Sequence, residues 1–200
     1  MKRAWLRVRC RALRVVVTDV DGVLTDAGVY YGEAGDELKK FSIRDGAGVA
    51  LLKSAGLTVG AITGESHALV ARRMKKIGAD FLLSGVRDKL EALERHAARD
   101  GFELSEMGYI GDEINDVCLL GKVGVFFAPA DAAPEIRSGA HVVLETRGGD
   151  GALRETAQIV LAYQGKLQDA IDEYVRGCRG QNENARTHRL TRVAPRTRKR

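Results

Sequence analysis

The chain has 200 residues and a mass of 21.7 kDa, with 44% hydrophobic residues, enough to bury one substantial core and therefore to form a single domain. Its net charge of +5 sits at the ends: residues 1–14 carry six basic residues and no acid, and residues 176–200 carry nine basic residues and Glu183, which leaves the body between them at net −9. This placement argues against nucleic acid as a partner despite an isoelectric point near 9.2, and the expected division is a basic N-terminal segment (1–12), a folded body (13–175) and a basic, disordered tail (176–200).

The opening MKRAWLRVRC has the charge of a secretion signal, but arginines interrupt it and the apolar run that follows ends in DVDG rather than at a small-residue cleavage site. No run approaches the roughly 18 apolar residues of a membrane span. Cys10, Cys118 and Cys178 are odd in number and lack a CxxC pair, so neither disulfides nor zinc is expected and the reducing cytoplasm fits. RVVVTD (14–19) reads as a buried strand, and residues 26–44, DAGVYYGEAGDELKKFSIR, pair VYYG with ELKKFSI across a Gly/Asp turn as a β-hairpin projecting from the sheet top. There follow a helix closed by Gly56 (45–56), the strand TVGAIT (58–63), a helix closed by Gly78 (66–78), the strand DFLLSG (80–85) and a helix with apolar residues at spacings of three and four (87–101). The strand MGYIGD (107–112), the helix EINDVCLLGKVG (113–124), the strand VGVFFA (123–128), a short helix (131–139), the strand HVVLE (141–145) and one long helix from about Asp150 to Tyr174 complete the series. Strict alternation predicts a doubly wound α/β fold of Rossmann type, its mostly parallel sheet covered on both faces through right-handed crossovers.

In such a sheet the ligand site lies beyond the carboxyl ends of the strands. The first strand runs into Asp19 and Asp21, the second into Thr63 and Gly64, the fourth into Asp112, and Lys89 opens the helix after the third. Crowded carboxylates call for a cation, and Mg²⁺ prefers hard oxygen ligands with substrate phosphate and water completing its shell. Asp19, Asp21 and Asp112 are the expected metal set, with Asp116 orienting it from the first turn of the EINDVCLL helix. Asp19 is the expected nucleophile, forming an aspartyl-phosphate. Asp21 is the expected acid and base. Thr63 and the N–H groups of the Gly64 turn would face the phosphoryl oxygens at a helix N-terminus, with Lys89 offsetting negative charge.

DVDGVLT, AITG, the downstream Lys89 and GDEIND resemble, in order and spacing, the four motifs of the haloacid dehalogenase superfamily of Mg²⁺ phosphatases, from about Leu13 to Tyr163. Members that select small substrates usually insert a cap domain, for which the spacing here leaves no room. The VYYGEAGDELKKFSIRDG hairpin and RGGDGALRE are similar to those of the uncapped 3-deoxy-D-manno-octulosonate 8-phosphate phosphatase family. The resemblance implies a cytoplasmic hydrolase that assembles as a homotetramer through the hairpins, each site completed by a neighbour and closing over a small phosphorylated sugar acid. It also implies sugar-acid contacts from Arg44, Glu65, Arg73 and Lys76. Glu65 directly after Thr63-Gly64 is more typical of relatives acting on nine-carbon sugar acid phosphates, the IRDG exit of the eight-carbon group, and a related phenylphosphate carboxylase delta subunit keeps an aryl phosphate open; the eight-carbon substrate is placed first.

Plainer readings stand beside these. Lys89 alone would be a solvated helix residue, Thr63 a helix N-cap, Glu65 a first-turn dipole residue and the basic run from Arg72 to Lys76 a solvated face, while Tyr30 and Tyr31 would pack the hairpin or a subunit contact. His67, His96, His141 and His188 share no ligand spacing. A response-regulator receiver would also place Asp, Thr and Lys around Mg²⁺, but its lysine comes last, whereas here Asp112 follows Lys89. A catalytically retired scaffold is the remaining alternative.

Overall fold

Val15, Val16 and Val17 are three β-branched residues in a row, and in an extended chain their side chains alternate between two faces. Both faces are apolar: Val16 joins one core with Leu13, Leu52, Val59 and Leu161, while Val15 and Val17 join a second with Leu93, Met107, Tyr109 and Phe126. A strand buried on both sides belongs at the centre of a parallel sheet.

The computed structural model describes residues 2–33 and 37–184. Helix α1 (Lys2–Ala12) leads into β1 (Val15–Thr18), the short strands β2 (Tyr30–Tyr31) and β3 (Glu37–Leu38), α2 (Arg44–Ser54), β4 (Thr58–Ile62), α3 (Ala68–Ile77), β5 (Phe81–Leu83) and α4 (Lys89–Asp100). Then come β6 (Met107–Ile110), a 3-10 helix (Ile114–Leu119), β7 (Val125–Ala128), α5 (Pro134–Gly139), β8 (Val142–Val143), α6 (Ala152–Gln164) and α7 (Leu167–Asn184). Six strands form one sheet in the order β5-β4-β1-β6-β7-β8, with every pairing parallel. The chain winds outward from β1 on one side and returns beside it as β6 to wind outward on the other. Strand order therefore switches at β1, the place where a doubly wound sheet opens a crevice. Helices α2 and α6 pack closely on one face, with α1 and α7 beside them, and α4, α5 and the 3-10 helix cover the other.

The expected hairpin is present as the antiparallel pair β2 and β3, a sheet of its own, anchored by a bridge between Thr25 and Phe41. Residues 34–36 at its turn lie outside the described residues. Three boundaries differ from the sequence reading. The single final helix is two, because α6 stops at Gly165, which takes a left-handed conformation, φ 72°. Helix α7 then continues to Asn184, through the first residues of the expected disordered tail, of which 185–200 lie outside the described residues. The segment after β6 is a 3-10 helix rather than an α-helix. Among the described residues, no helix is long and apolar enough to cross a membrane.

Candidate active site

The strand ends deliver the acidic residues. Asp19 is the first residue past β1, fixed by its N–H to the Ile110 carbonyl at 2.9 Å. Its Oδ1 accepts the Val20 N–H at 2.7 Å and its Oδ2 lies 2.8 Å from the Lys89 ammonium. Two residues past β6, Asp112 leans back over the loop that follows β1. It can do so because Gly22 is a glycine: a Cβ there would stand 1.8 Å from Asp112 Oδ2, and its φ of +86° disfavours any other residue. Asp116 enters from the 3-10 helix beneath, past Gly111, where a Cβ would lie 2.4 Å from Asp116 Oδ2.

One carboxylate oxygen from each of Asp19, Asp112 and Asp116 lies within 4.8 Å of the others. At an effective dielectric of about 20, two such charges repel by about 3 kcal/mol. Burial pushes the Asp19 carboxyl up to about 7, with repulsion from Asp116 adding to it and Lys89 opposing it. Burial likewise pushes Asp112 up to about 8, reinforced by Asp19 and Asp116. Lys89 is the cation inside the group: burial alone would lower its pKa, but Asp19 and Asp116 raise it overall. With all three ionised, the carboxylates around one ammonium would leave an excess of two negative charges.

Asp116 is the member least free to bind a cation. Its Oδ1 accepts both the Lys89 ammonium and the Tyr109 hydroxyl at 2.6 Å, and its Oδ2 accepts the Asp112 N–H at 3.0 Å. Asp112 Oδ1, by contrast, is buried with no hydrogen-bond partner. A buried carboxylate oxygen without a donor, on a residue that belongs to an acidic cluster, is costly unless a cation meets it. The donor set, hard oxygens with two charges in excess, fits a divalent cation shared by Asp19 and Asp112.

Asp21 departs from the sequence expectation. Its carboxylate is not part of the three-acid group; Oδ1 instead accepts the Lys39 ammonium at 2.9 Å and the Thr25 hydroxyl at 3.3 Å. The reason is the loop, which turns at Gly22 and carries residue 21 toward the hairpin. Asp21 still lines the same cleft, of about 270 Å³, together with Asp19, Thr63, Gly64, Glu65, Asp112, Glu113 and Asn115.

Thr63 follows β4 and is buried. Its Oγ1 accepts the Glu65 N–H at 3.1 Å, which leaves the hydroxyl proton free to donate into the cleft. It stands in a turn ahead of α3, whose N-cap is His67 rather than Thr63. Lys89 opens α4 as expected, with Asp88 capping that helix through the Glu91 N–H at 3.0 Å.

Gly64, expected at the phosphoryl oxygens, lines the cleft; of the four expected sugar-acid contacts Glu65 lines it too and the other three do not. Arg44 reaches the Asp150 carbonyl at 3.4 Å and lines a separate hollow with Asp150, Gly151 and Arg154. The Arg73 guanidinium donates to the Ser42 carbonyl at 2.6 Å and lies 5.7 Å over the Phe41 ring. Lys76 is exposed on α3. Sequence reasoning missed Lys39, whose ammonium bridges Asp21 and Glu65, and Tyr109, whose hydroxyl holds Asp116. A tyrosine inside an apolar strand was the available signal for the second, since a buried hydroxyl needs a partner.

A haloacid dehalogenase-like hydrolase family model matches residues 80–155. The 3-deoxy-D-manno-octulosonate 8-phosphate phosphatase of Yersinia pestis is 37% identical over 162 residues, 81% of this chain and 87% of that one. The chain belongs to the haloacid dehalogenase superfamily, in its uncapped 3-deoxy-D-manno-octulosonate 8-phosphate phosphatase-like family. Membership makes it a phosphoric monoester hydrolase. The family's phosphatase from Escherichia coli K12 is 37% identical over 158 residues, 79% of this chain and 84% of its own length. The crystal structure of the family's enzyme from Moraxella catarrhalis, in complex with magnesium ion, phosphate ion and a KDO molecule, superposes with a TM-score of 0.81 at 31% identity, covering 84% of this chain and 97% of that one. The fold accordingly has a doubly wound sheet with a separate β-hairpin, and among the described residues no cap domain lies between the motifs.

Proposed function

We propose that this chain is a Mg²⁺-dependent phosphatase that hydrolyses the phosphate monoester of a 3-deoxy-2-keto sugar acid, 3-deoxy-D-manno-octulosonate 8-phosphate before others, through an aspartyl-phosphate on Asp19. The observation that carries this reading is the close approach of the Asp19, Asp112 and Asp116 carboxylates, in which the buried Asp112 Oδ1 has no hydrogen-bond partner. When bound there by Asp19 and Asp112, Mg²⁺ supplies positive charge to the phosphoryl oxygens and removes the repulsion that would bar an anionic substrate. Asp19, oriented by the Val20 N–H and Lys89, forms a bond to phosphorus as the ester bond breaks, and Asp21 gives its proton to the leaving oxygen. Asp21 then takes a proton from the water that displaces Asp19. Thr63 donates its hydroxyl proton to a phosphoryl oxygen, and Lys89, held between Asp19 and Asp116, keeps the nucleophile aimed and ionised. Asp116 and Tyr109 fix that lysine.

Glu65 in the cleft wall favours a second reading, a nine-carbon sugar acid 9-phosphate. The discriminating experiment is a phosphate-release screen over eight-carbon, nine-carbon and aryl phosphates, with Mg²⁺ and after chelation. The account expects Mg²⁺-dependent release with the highest kcat/KM on the eight-carbon substrate. No release from any of the three would mark a retired scaffold.

The same reading includes a homotetramer joined by the hairpins. Tyr30, Tyr31, Leu38 and Ile43 are exposed on or beside the hairpin, Tyr31 at 77% and Ile43 at 86%, and clustered apolar exposure of this kind marks contact surfaces. Assembly would also give Arg44, Arg73 and Lys76 a route to a sugar acid bound at a neighbour's cleft. The reaction is assigned to the cytoplasm, which the unpaired Cys10, Cys118 and Cys178 favour.

A further inference from the structure

Two residues that line the cleft, Asp21 and Glu65, are joined behind it by a residue that none of the four motifs contains. Lys39 leaves strand β3 of the hairpin between Leu38 and Lys40, which are both exposed, yet its own side chain is only 1% exposed. Its ammonium donates to Asp21 Oδ1 at 2.9 Å and to the Glu65 carboxylate. Taking an ammonium out of water costs several kcal/mol, and an apolar side chain of the same length would fill the space without that cost. Packing alone therefore does not account for a lysine here. Among the described residues, the hydrogen bonds to the Asp21 carboxylate come from Lys39 and Thr25 and both fall on Oδ1, the one from Thr25 long at 3.3 Å.

We propose that Lys39 is the positioning residue of the acid/base: it grips Asp21 by Oδ1, leaves Oδ2 to give and take the proton, and yokes Asp21 to Glu65 so that the hairpin sets the geometry of both. This rests on the reading of Asp21 given above. In the first half-reaction an Asp19 oxygen bonds phosphorus, the bond from phosphorus to the leaving oxygen breaks, and the Asp21 proton passes to that oxygen. In the second, a water oxygen bonds phosphorus, the Asp19 bond breaks, and the water proton returns to Asp21. A nitrophenolate leaves without help from a proton, whereas a sugar alkoxide does not. Misplacing Asp21 should therefore block both halves on a sugar phosphate and the second half alone on nitrophenyl phosphate.

The test compares the full-length wild type with Lys39→Met, with Mg²⁺ present, on 3-deoxy-D-manno-octulosonate 8-phosphate and on 4-nitrophenyl phosphate, with rapid mixing for the latter. The variant is expected to lose on the order of 100-fold in kcat on the sugar phosphate. On nitrophenyl phosphate it should show a burst of nitrophenolate stoichiometric with sites, then a slow steady rate with a KM lowered in step as the phosphoenzyme accumulates, while KM for the sugar phosphate stays within about threefold. Equal losses on the two substrates without a burst, or undiminished turnover, would overturn the assignment. Should Lys39→Met fail to fold by circular dichroism, Lys39→Leu, which likewise removes the donor, is read by the same criteria. Wild type that releases phosphate from neither substrate would overturn the phosphatase reading itself, which separates that failure from one of Lys39.

Discussion

Gly22 is the residue on which the acidic cluster turns, because its missing side chain is what admits Asp112 to the neighbourhood of Asp19. Two effects are combined at this position, a left-handed backbone and a close approach, and they can be separated. Gly56 has a similar φ of +82° but nothing within 4 Å of where a Cβ would be. Gly56→Ala is expected to lower stability by about 1 kcal/mol, the cost of a left-handed alanine, with turnover unchanged. Gly22→Ala is expected to bear that cost and, in addition, to lose on the order of 100-fold in kcat/KM and most of its Mg²⁺ dependence, because Asp112 must move. Phosphate-release kinetics beside a thermal melt distinguish the two, and equal behaviour of both variants would remove Gly22 from this role. At this scale Asp19, Thr63, Lys89, Asp112 and Asp116 were legible in the sequence, since each stands at a fixed offset from a recognisable strand. Lys39 was not. In ELKKF two adjacent lysines look alike, and only the pleat, which sends one to solvent and the other under Glu65, tells them apart.

The β2 and β3 hairpin contributes almost nothing to the main sheet, forming a two-stranded sheet of its own. Such a pair is marginal in water by itself, and its exposed tyrosines and Ile43 point to cover supplied from outside the chain. Light scattering is expected to give the mass of four chains for the wild type and a smaller assembly for a Tyr31→Ser, Ile43→Ser double variant; a monomeric wild type would refute this assembly. Element boundaries explain where the sequence reading fell short. The EINDVCLL segment has helical spacing but is drawn tight as a 3-10 helix, with Asp116 bound to Lys89, Tyr109 and the Asp112 N–H, so tertiary bonds override local propensity. Arg44 and Arg73 were placed by resemblance, and within the chain both turn to backbone carbonyls, Asp150 and Ser42.

Across the whole molecule, the doubly wound order follows from strands that are apolar on both faces, which is why alternation in the sequence was enough to anticipate it. Placing three carboxylates in its crevice has a thermodynamic consequence. An aspartate ordinarily titrates near about 4, whereas Asp19 and Asp112 are raised to about 7 and about 8 in the folded chain. The folded state then holds protons that the unfolded state has released, so the contribution of these groups is fully present below about pH 4 and is lost as pH rises through about 7 and 8. A divalent cation reverses this loss by binding the deprotonated pair. Thermal melts are therefore expected to show a larger Mg²⁺-induced rise at pH 8 than at pH 5; an equal rise at both would mean that the cation binds elsewhere. The central claim is the covalent role of Asp19 beside that cation, and the most direct measurement is phosphate release from 3-deoxy-D-manno-octulosonate 8-phosphate by Asp19→Asn in saturating Mg²⁺. The account predicts no detectable turnover from a protein whose circular dichroism and assembled mass match the wild type; a folded variant that keeps more than a few per cent of wild-type activity would contradict it.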